Sequence, residues 1–183
     1  NIAIFEKSEK VGPGLAYSTT LNTTILNMRA ETMSVIPGLP LDFSAWLKDN
    51  YPENETNYDA THGRFPPRSR YREYLEDVLR KTLEKAKSVG VDIVMQEVAA
   101  LRCCGEKQII ELINGLEKKF DYTVLATGNM PSDNFQGFIG VPNYFHSPYP
   151  DERLPHVIEP ASSVIVLGSR LTAVDVAVTL FEK

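Results

Sequence analysis

The chain has 183 residues, 43% hydrophobic and 23% charged, and its 19 Lys and Arg against 24 Asp and Glu leave a formal charge of −5. This composition excludes a disordered or collagen-like chain and has room for one large domain or two small ones, while the acidic balance argues against general nucleic-acid binding. The apolar runs at 123–126 and 164–167 fall far short of the roughly 18 residues of a membrane span, and residues 1–5 lack the features of a secretory leader.

Ile2–Phe5 is a fully apolar run ending at Glu6 and Lys7, the pattern of a buried parallel strand that stops at the carboxyl edge of a sheet. A buried strand in the first residues predicts that a strand and helix precede it, so the chain reads as a fragment lacking the first βα unit. Residues 8–40 hold Gly12, Pro13, Gly14, Pro37, Gly38 and Pro40 and read as a long irregular segment with an apolar patch at Ile25 and Leu26. Asp42 is placed to cap a helix over 42–48 with Phe43, Trp46 and Leu47 on one face, and 49–64 reads as loop. The clearest helix spans 69–90, with Tyr71, Leu75, Val78, Leu79 and Ala86 at helical spacing and Gly90 as its stop.

Residues 91–104, 108–113 and 116–120 are separated by turn residues at 105–107 and at Asn114-Gly115, which predicts a three-stranded antiparallel meander. The apolar stretch 121–128 then predicts a return to the parallel sheet. The Pro- and Gly-rich segment 129–160 reads as a crossing between domains. Beyond it, 163–167 is a predicted strand, 168–170 a turn, and Leu171–Phe181 a helix with Ala173, Val176, Ala177 and Leu180 on its apolar face. The boundaries expected are a partial dinucleotide-binding domain over 1–130, a crossing over 131–160 and the start of a second such unit over 161–183. The fold class is therefore α/β, a Rossmann-like arrangement with a parallel sheet and an antiparallel meander.

In a dinucleotide-binding βαβ unit an acid at the end of the second strand binds a ribose hydroxyl, and a glycine turn presents a helix N-terminus to the pyrophosphate. Glu6 stands where that acid belongs, with the alternative that it merely ends a strand at the surface. Gly168-Ser169-Arg170-Leu171-Thr172-Ala173 stands where a second glycine turn belongs, but Arg170 replaces the middle glycine and would either obstruct a cofactor or supply a phosphate-binding cation. Arg64, Arg68, Arg70 and Arg72 cluster at the start of the long helix, either as a solvated face or as a phosphate contact. His62, His146 and His156 are isolated, so no metal site is expected. Cys103 and Cys104 are adjacent, which strains a disulfide between them, and they lack the spacer of redox motifs; a reducing, cytoplasmic setting follows.

Taken together, IAIFEKSEKVGPGLAYST, ILNMRAETMS, RFPPRSRYREYL, YTVLATGNMP and VIVLGSRLTAVD resemble the FAD/NAD(P)-binding proteins of the uncharacterised bacterial flavoprotein oxidoreductase type, relatives of N-hydroxylating and flavin-containing monooxygenases. The resemblance implies two cofactors, FAD and NAD(P)H, and a small-molecule substrate. It places Glu6 at the adenosine ribose with Lys7 beside it, and Gly12, Gly14 and the 16–19 loop near the flavin. Asn27, Met28 and Arg29 match a loop that approaches flavin or substrate, Val98 a position whose backbone meets adenine, and Thr127 and Gly128 the turn that closes over the cofactor. Gly168, Ser169 and Thr172 would meet the nicotinamide dinucleotide, with Arg170 where the family has glycine. The implied activity is hydride transfer from NAD(P)H to FAD and onward to oxygen or another acceptor, with no catalytic acid or base identified. The rival reading is a degenerate nucleotide-fold module that binds without turnover. A Rossmann-like transferase is disfavoured because the meander followed by A-T-G has no role in it.

Overall fold

The structure is a computed structural model that describes residues 1–52, 65–128 and 133–181. His62 and Arg64 lie outside the described residues. The chain divides into two compact units, one of Asn1–Gly12 with Val78–Met130 and one of Pro13–Asp77 with Pro131–Lys183.

In the first unit β1 (Ile2–Phe5) pairs in parallel with β2 (Val91–Val94), Ile2 opposite Val91 and Phe5 opposite Val94. The β-branched residues of both strands suit this pairing, and the ladder continues past β1 through the Glu6 N–H, which donates to the Val94 carbonyl at 3.0 Å. The expected parallel strand is present but not fully buried, for Ile2 keeps 53% of its surface. The stretch 91–104 is not one strand. It breaks after Val94, where the Gln96 N–H turns back onto the Val94 carbonyl at 2.9 Å, so that β2 serves the parallel pair and β3 (Val98–Cys104) opens the meander.

β3, β4 (Lys107–Leu112) and β5 (Glu117–Phe120) form an antiparallel sheet in that order. Cys104 lies opposite Lys107, leaving a two-residue turn at Gly105 and Glu106 with Gly105 at φ 61°, a left-handed conformation that glycine adopts without strain. Ile109 and Ile110, neighbours on β4, are both buried. Successive strand residues point to opposite faces, so the middle strand is covered on both. The Phe5 and Phe120 rings meet edge to face with centroids 5.9 Å apart.

In the second unit α1 (Asp42–Asn50) and α2 (Arg68–Lys85, whose residues from Val78 on belong to the first unit) supply an aromatic core. Phe43 and Tyr74 are fully buried and Tyr71 nearly so. Phe43 packs on Tyr71 at 5.0 Å and on Tyr74 at 4.9 Å between centroids. Asp42 does not cap α1 as expected: Leu41 occupies the cap position, and the Asp42 carboxylate accepts the Tyr74 hydroxyl at 2.8 Å. A buried phenol needs a partner more than an exposed helix end does. The long helix ends at Lys85 rather than Gly90, its last turn loosening where the Val89 N–H reaches the Ala86 carbonyl at 2.8 Å.

The irregular 8–40 segment carries part of this core. Leu26, Ala30 and Thr24 are buried, and Ile25 bridges to Pro67. A short helix α3 (Arg153–Val157) and α4 (Leu171–Phe181) complete the unit. α4 has the expected bounds, although Ala177 is exposed rather than on the covered face. The expected strands at 121–128 and 163–167 are corrected, because both segments run without ladder pairing among the described residues. A strand is defined by a neighbour's hydrogen bonds, and here apolar residues such as Val124 and Ile165 stay more than four-fifths exposed. No helix among the described residues is long and apolar enough to cross a membrane.

Candidate functional site

In the first unit Glu6 lies one residue past the carboxyl end of β1. Its Oε1 accepts the Ser8 N–H at 2.8 Å, and that backbone bond is the leading reason its carboxyl titrates below the usual glutamate range. The carboxylate is thus ionised at neutral pH and half-buried. Lys7 is exposed beside it. Gly12 adopts φ 117° and Gly128 φ 71°, and Thr127 and Gly128 are exposed at the end of the unpaired apolar segment. Val98 opens β3 opposite Leu112, and a register shift between Val98 and Ala100 leaves Ala99 without a partner in the ladder.

In the second unit Gly14 has φ 58° and ψ −169°, a region open essentially to glycine alone, and a Cβ built there would meet nothing within 4 Å. Asn27, Met28 and Arg29 form an exposed stretch held between buried Leu26 and buried Ala30. Gly168, Ser169, Arg170 and Thr172 are all exposed where the chain enters α4. The Arg170 carbonyl accepts the Ala173 N–H at 2.8 Å, which makes Arg170 the residue that starts the helix. Gly168, at φ 128°, also faces open space where a side chain would begin.

The arginines at the start of α2 are engaged within the protein. Arg68 binds the Ile25 carbonyl, the Tyr149 hydroxyl and Asp175. Arg70 binds Tyr51 and Glu73, and Arg72 lies against Glu76 and the Ser18 carbonyl. Cys103 and Cys104 are free and exposed on β3, an edge strand of the meander.

Sequence reasoning missed a carboxylate pair beside the 16–19 loop. Glu152 accepts from both the N–H and the hydroxyl of Thr20, at 2.5 and 3.0 Å. Burial pushes the Glu152 pKa up, but the hydrogen bonds from backbone and Thr20 outweigh it and the net shift is downward. Asp151 is 4% exposed and neither of its carboxyl oxygens has a hydrogen-bond partner. Burial, with the neighbouring Glu152 charge, moves its pKa up in spite of Thr19 nearby. A carboxyl raised in the folded state stabilises the fold below its unfolded pKa and loses that contribution as pH rises through the folded value. Asp151→Asn should therefore raise stability at neutral pH by about 1 kcal/mol and leave it unchanged below the carboxylate range. Urea titrations at the two pH values check this, and an equal effect at both would rule it out. The only sequence signal for the pair was its adjacency, D-E after a proline.

The FAD-NAD(P)-binding family profile matches residues 1–130. The chain belongs to the FAD-NAD(P)-binding family. It is also 25% identical over 190 residues to the uncharacterized protein YdhS of Escherichia coli (strain K12), an alignment covering 98% of this chain and 34% of that relative, so the chain spans about a third of the relative's length. The residues present fit the nucleotide that this FAD-NAD(P)-binding family takes. An ionised carboxylate follows a parallel strand, and glycines in left-handed backbone stand before open space, as a backbone meeting a phosphate or ring requires.

Proposed function

We propose that this chain is the nucleotide-binding part of an FAD-dependent, NAD(P)H-using oxidoreductase or monooxygenase acting on a small molecule. The observation that carries the reading is the ionised Glu6 at the carboxyl end of a parallel strand, in a chain whose first 130 residues match the FAD-NAD(P)-binding family. In this reading the sheet is the Rossmann-like core of a partial FAD domain over 1–130, and 161–183 begins a second dinucleotide unit after the crossing at 131–160.

Glu6 accepts the adenosine ribose hydroxyls, with Lys7 adjacent, and the backbone at Val98, next to the irregular step at Ala99, meets adenine. Gly14 and Gly128, left-handed and with open space where a Cβ would begin, let the main chain approach the cofactor, and Gly12 and Thr127 lie close to them in sequence. Asn27, Met28 and Arg29 face flavin or substrate from a loop anchored by Leu26 and Ala30. Gly168, Ser169 and Thr172 present the N-terminus of α4 to the nicotinamide dinucleotide, where N–H groups and helix dipole favour phosphate. Arg170 adds a cation there. When bound, FAD supplies hydride-transfer chemistry from NAD(P)H to oxygen or another acceptor.

Arg170 in place of glycine also favours a second reading, a nucleotide-fold module that binds without turnover. Protein made from its complete reading frame should release stoichiometric FAD on denaturation, read by absorbance and fluorescence, and should oxidise NADH or NADPH. Absence of FAD even after reconstitution would favour the binding module.

A further inference from the structure

Arg68 joins three chain segments of the second unit through three different nitrogens. Its Nε donates to the Ile25 carbonyl at 3.1 Å, Nη1 to the Tyr149 hydroxyl at 2.9 Å and Nη2 to Asp175 at 2.8 Å. The two charged side chains are only 12% and 13% exposed. A guanidinium is a rigid plane with fixed donor directions, so the three segments cannot shift independently while these bonds hold.

Two of the segments lie beside parts of the proposed site. Ile25 is two residues before Asn27, in the loop anchored by Leu26. Asp175 is three residues after Thr172, on the same face of α4 and one turn from its start. The rest of α4 is held mainly by apolar contact: Thr179 is its one buried residue, Ala173, Val176, Val178 and Leu180 are half-buried, and Leu171, Val174 and Phe181 are 56%, 53% and 90% exposed. Apolar contact of that kind restrains a helix without fixing its rotation, whereas a charge-assisted bond of defined direction does fix it.

We infer that Arg68 and Asp175 are positioning residues that set the turn at 168–172 in register with the 27–29 loop, so that a nicotinamide dinucleotide bound at the turn is presented correctly. This rests on the cofactor reading above. Burial pushes the Asp175 pKa up and the Arg68 charge only partly offsets it. Desolvation thus offsets part of what the pair contributes to stability.

The test uses the complete, FAD-loaded protein with Arg68→Lys and Asp175→Asn. Lysine keeps the charge but loses the fork, and asparagine keeps the shape but loses the charge, so both variants should fold and retain FAD. Amide hydrogen exchange over residues 173–178 should speed up about tenfold in each, and NADH or NADPH should bind about tenfold more weakly by calorimetry. Unchanged exchange in both variants would overturn the inference whatever happens to the nicotinamide. Faster exchange with unaltered nicotinamide affinity would overturn it too, leaving the pair a purely structural clamp. If exchange speeds up but the unmodified protein binds neither NADH nor NADPH, the cofactor reading fails and the hold on α4 stands.

Discussion

Replacing Phe43 by Ala should destabilise the protein by about 3–5 kcal/mol, the usual cost of truncating a buried phenylalanine. Phe43 has no exposed surface and its ring meets Trp46, Tyr71 and Tyr74 at 6.4, 5.0 and 4.9 Å. The loss therefore combines a cavity with three aromatic contacts, each worth about 0.5–1.5 kcal/mol beyond area. Against a total stability of about 5–15 kcal/mol for a domain, the second unit would lose much of its margin. Phe181→Ala, at a ring 90% exposed, serves as the control and should change almost nothing. Urea titration of both variants checks the pair. A loss below about 1 kcal/mol for Phe43→Ala would mean the aromatic cluster relaxes to fill the space.

Glu6→Ala in the complete protein should weaken FAD binding by about 10- to 100-fold, the range for hydrogen bonds to a charged group of about 1.5–3 kcal/mol. Glu6→Gln, which keeps an acceptor but not the charge, should fall between. The Ser8 N–H holds the carboxyl below its ordinary range, so the affinity should stay flat as pH falls through the usual glutamate pKa and drop only below it. The sign follows because a lowered pKa preserves the ionised acceptor above the folded value and surrenders it on protonation. An unchanged dissociation constant for Glu6→Ala removes the residue from the site.

Local pattern was legible where one face of a single element decided the outcome. Leu171–Phe181 has the bounds its spacing implied, and the Gly105 and Asn114-Gly115 turns set the meander. Pattern failed where a distant partner decided. Nothing within 91–104 says that its first four residues pair with Ile2–Phe5 while 98–104 pair with β4. Tyr74, the most buried large side chain of α2, lies at i+3 from Tyr71 on the same face, and its burial is set by Phe43 of another helix. Asp42 has the local propensity of a cap, whereas the Tyr74 hydroxyl that claims it lies 32 residues away. For the candidate site, Glu6 and the glycines were visible as motif positions. The Glu152 hold on Thr20 and the reach of Arg68 to Asp175 were not, since each joins residues more than 100 positions apart.

The pairing of Ile2 with Val91 also orders the events of folding. The β3–β4–β5 hairpins join residues that are near neighbours in sequence, and such hairpins close in about 1–10 μs. The β1–β2 ladder joins strands about ninety residues apart, and its loop-closure entropy must be met before any of its bonds form. The pairing within the meander can therefore start early, while the strand that carries Glu6 takes its place only after the chain between Phe5 and Val91 has shortened. The sheet edge that carries Glu6 is, on this account, among the last parts of the first unit to form, and a nucleotide bound there as proposed would act on a late step of folding rather than an early one.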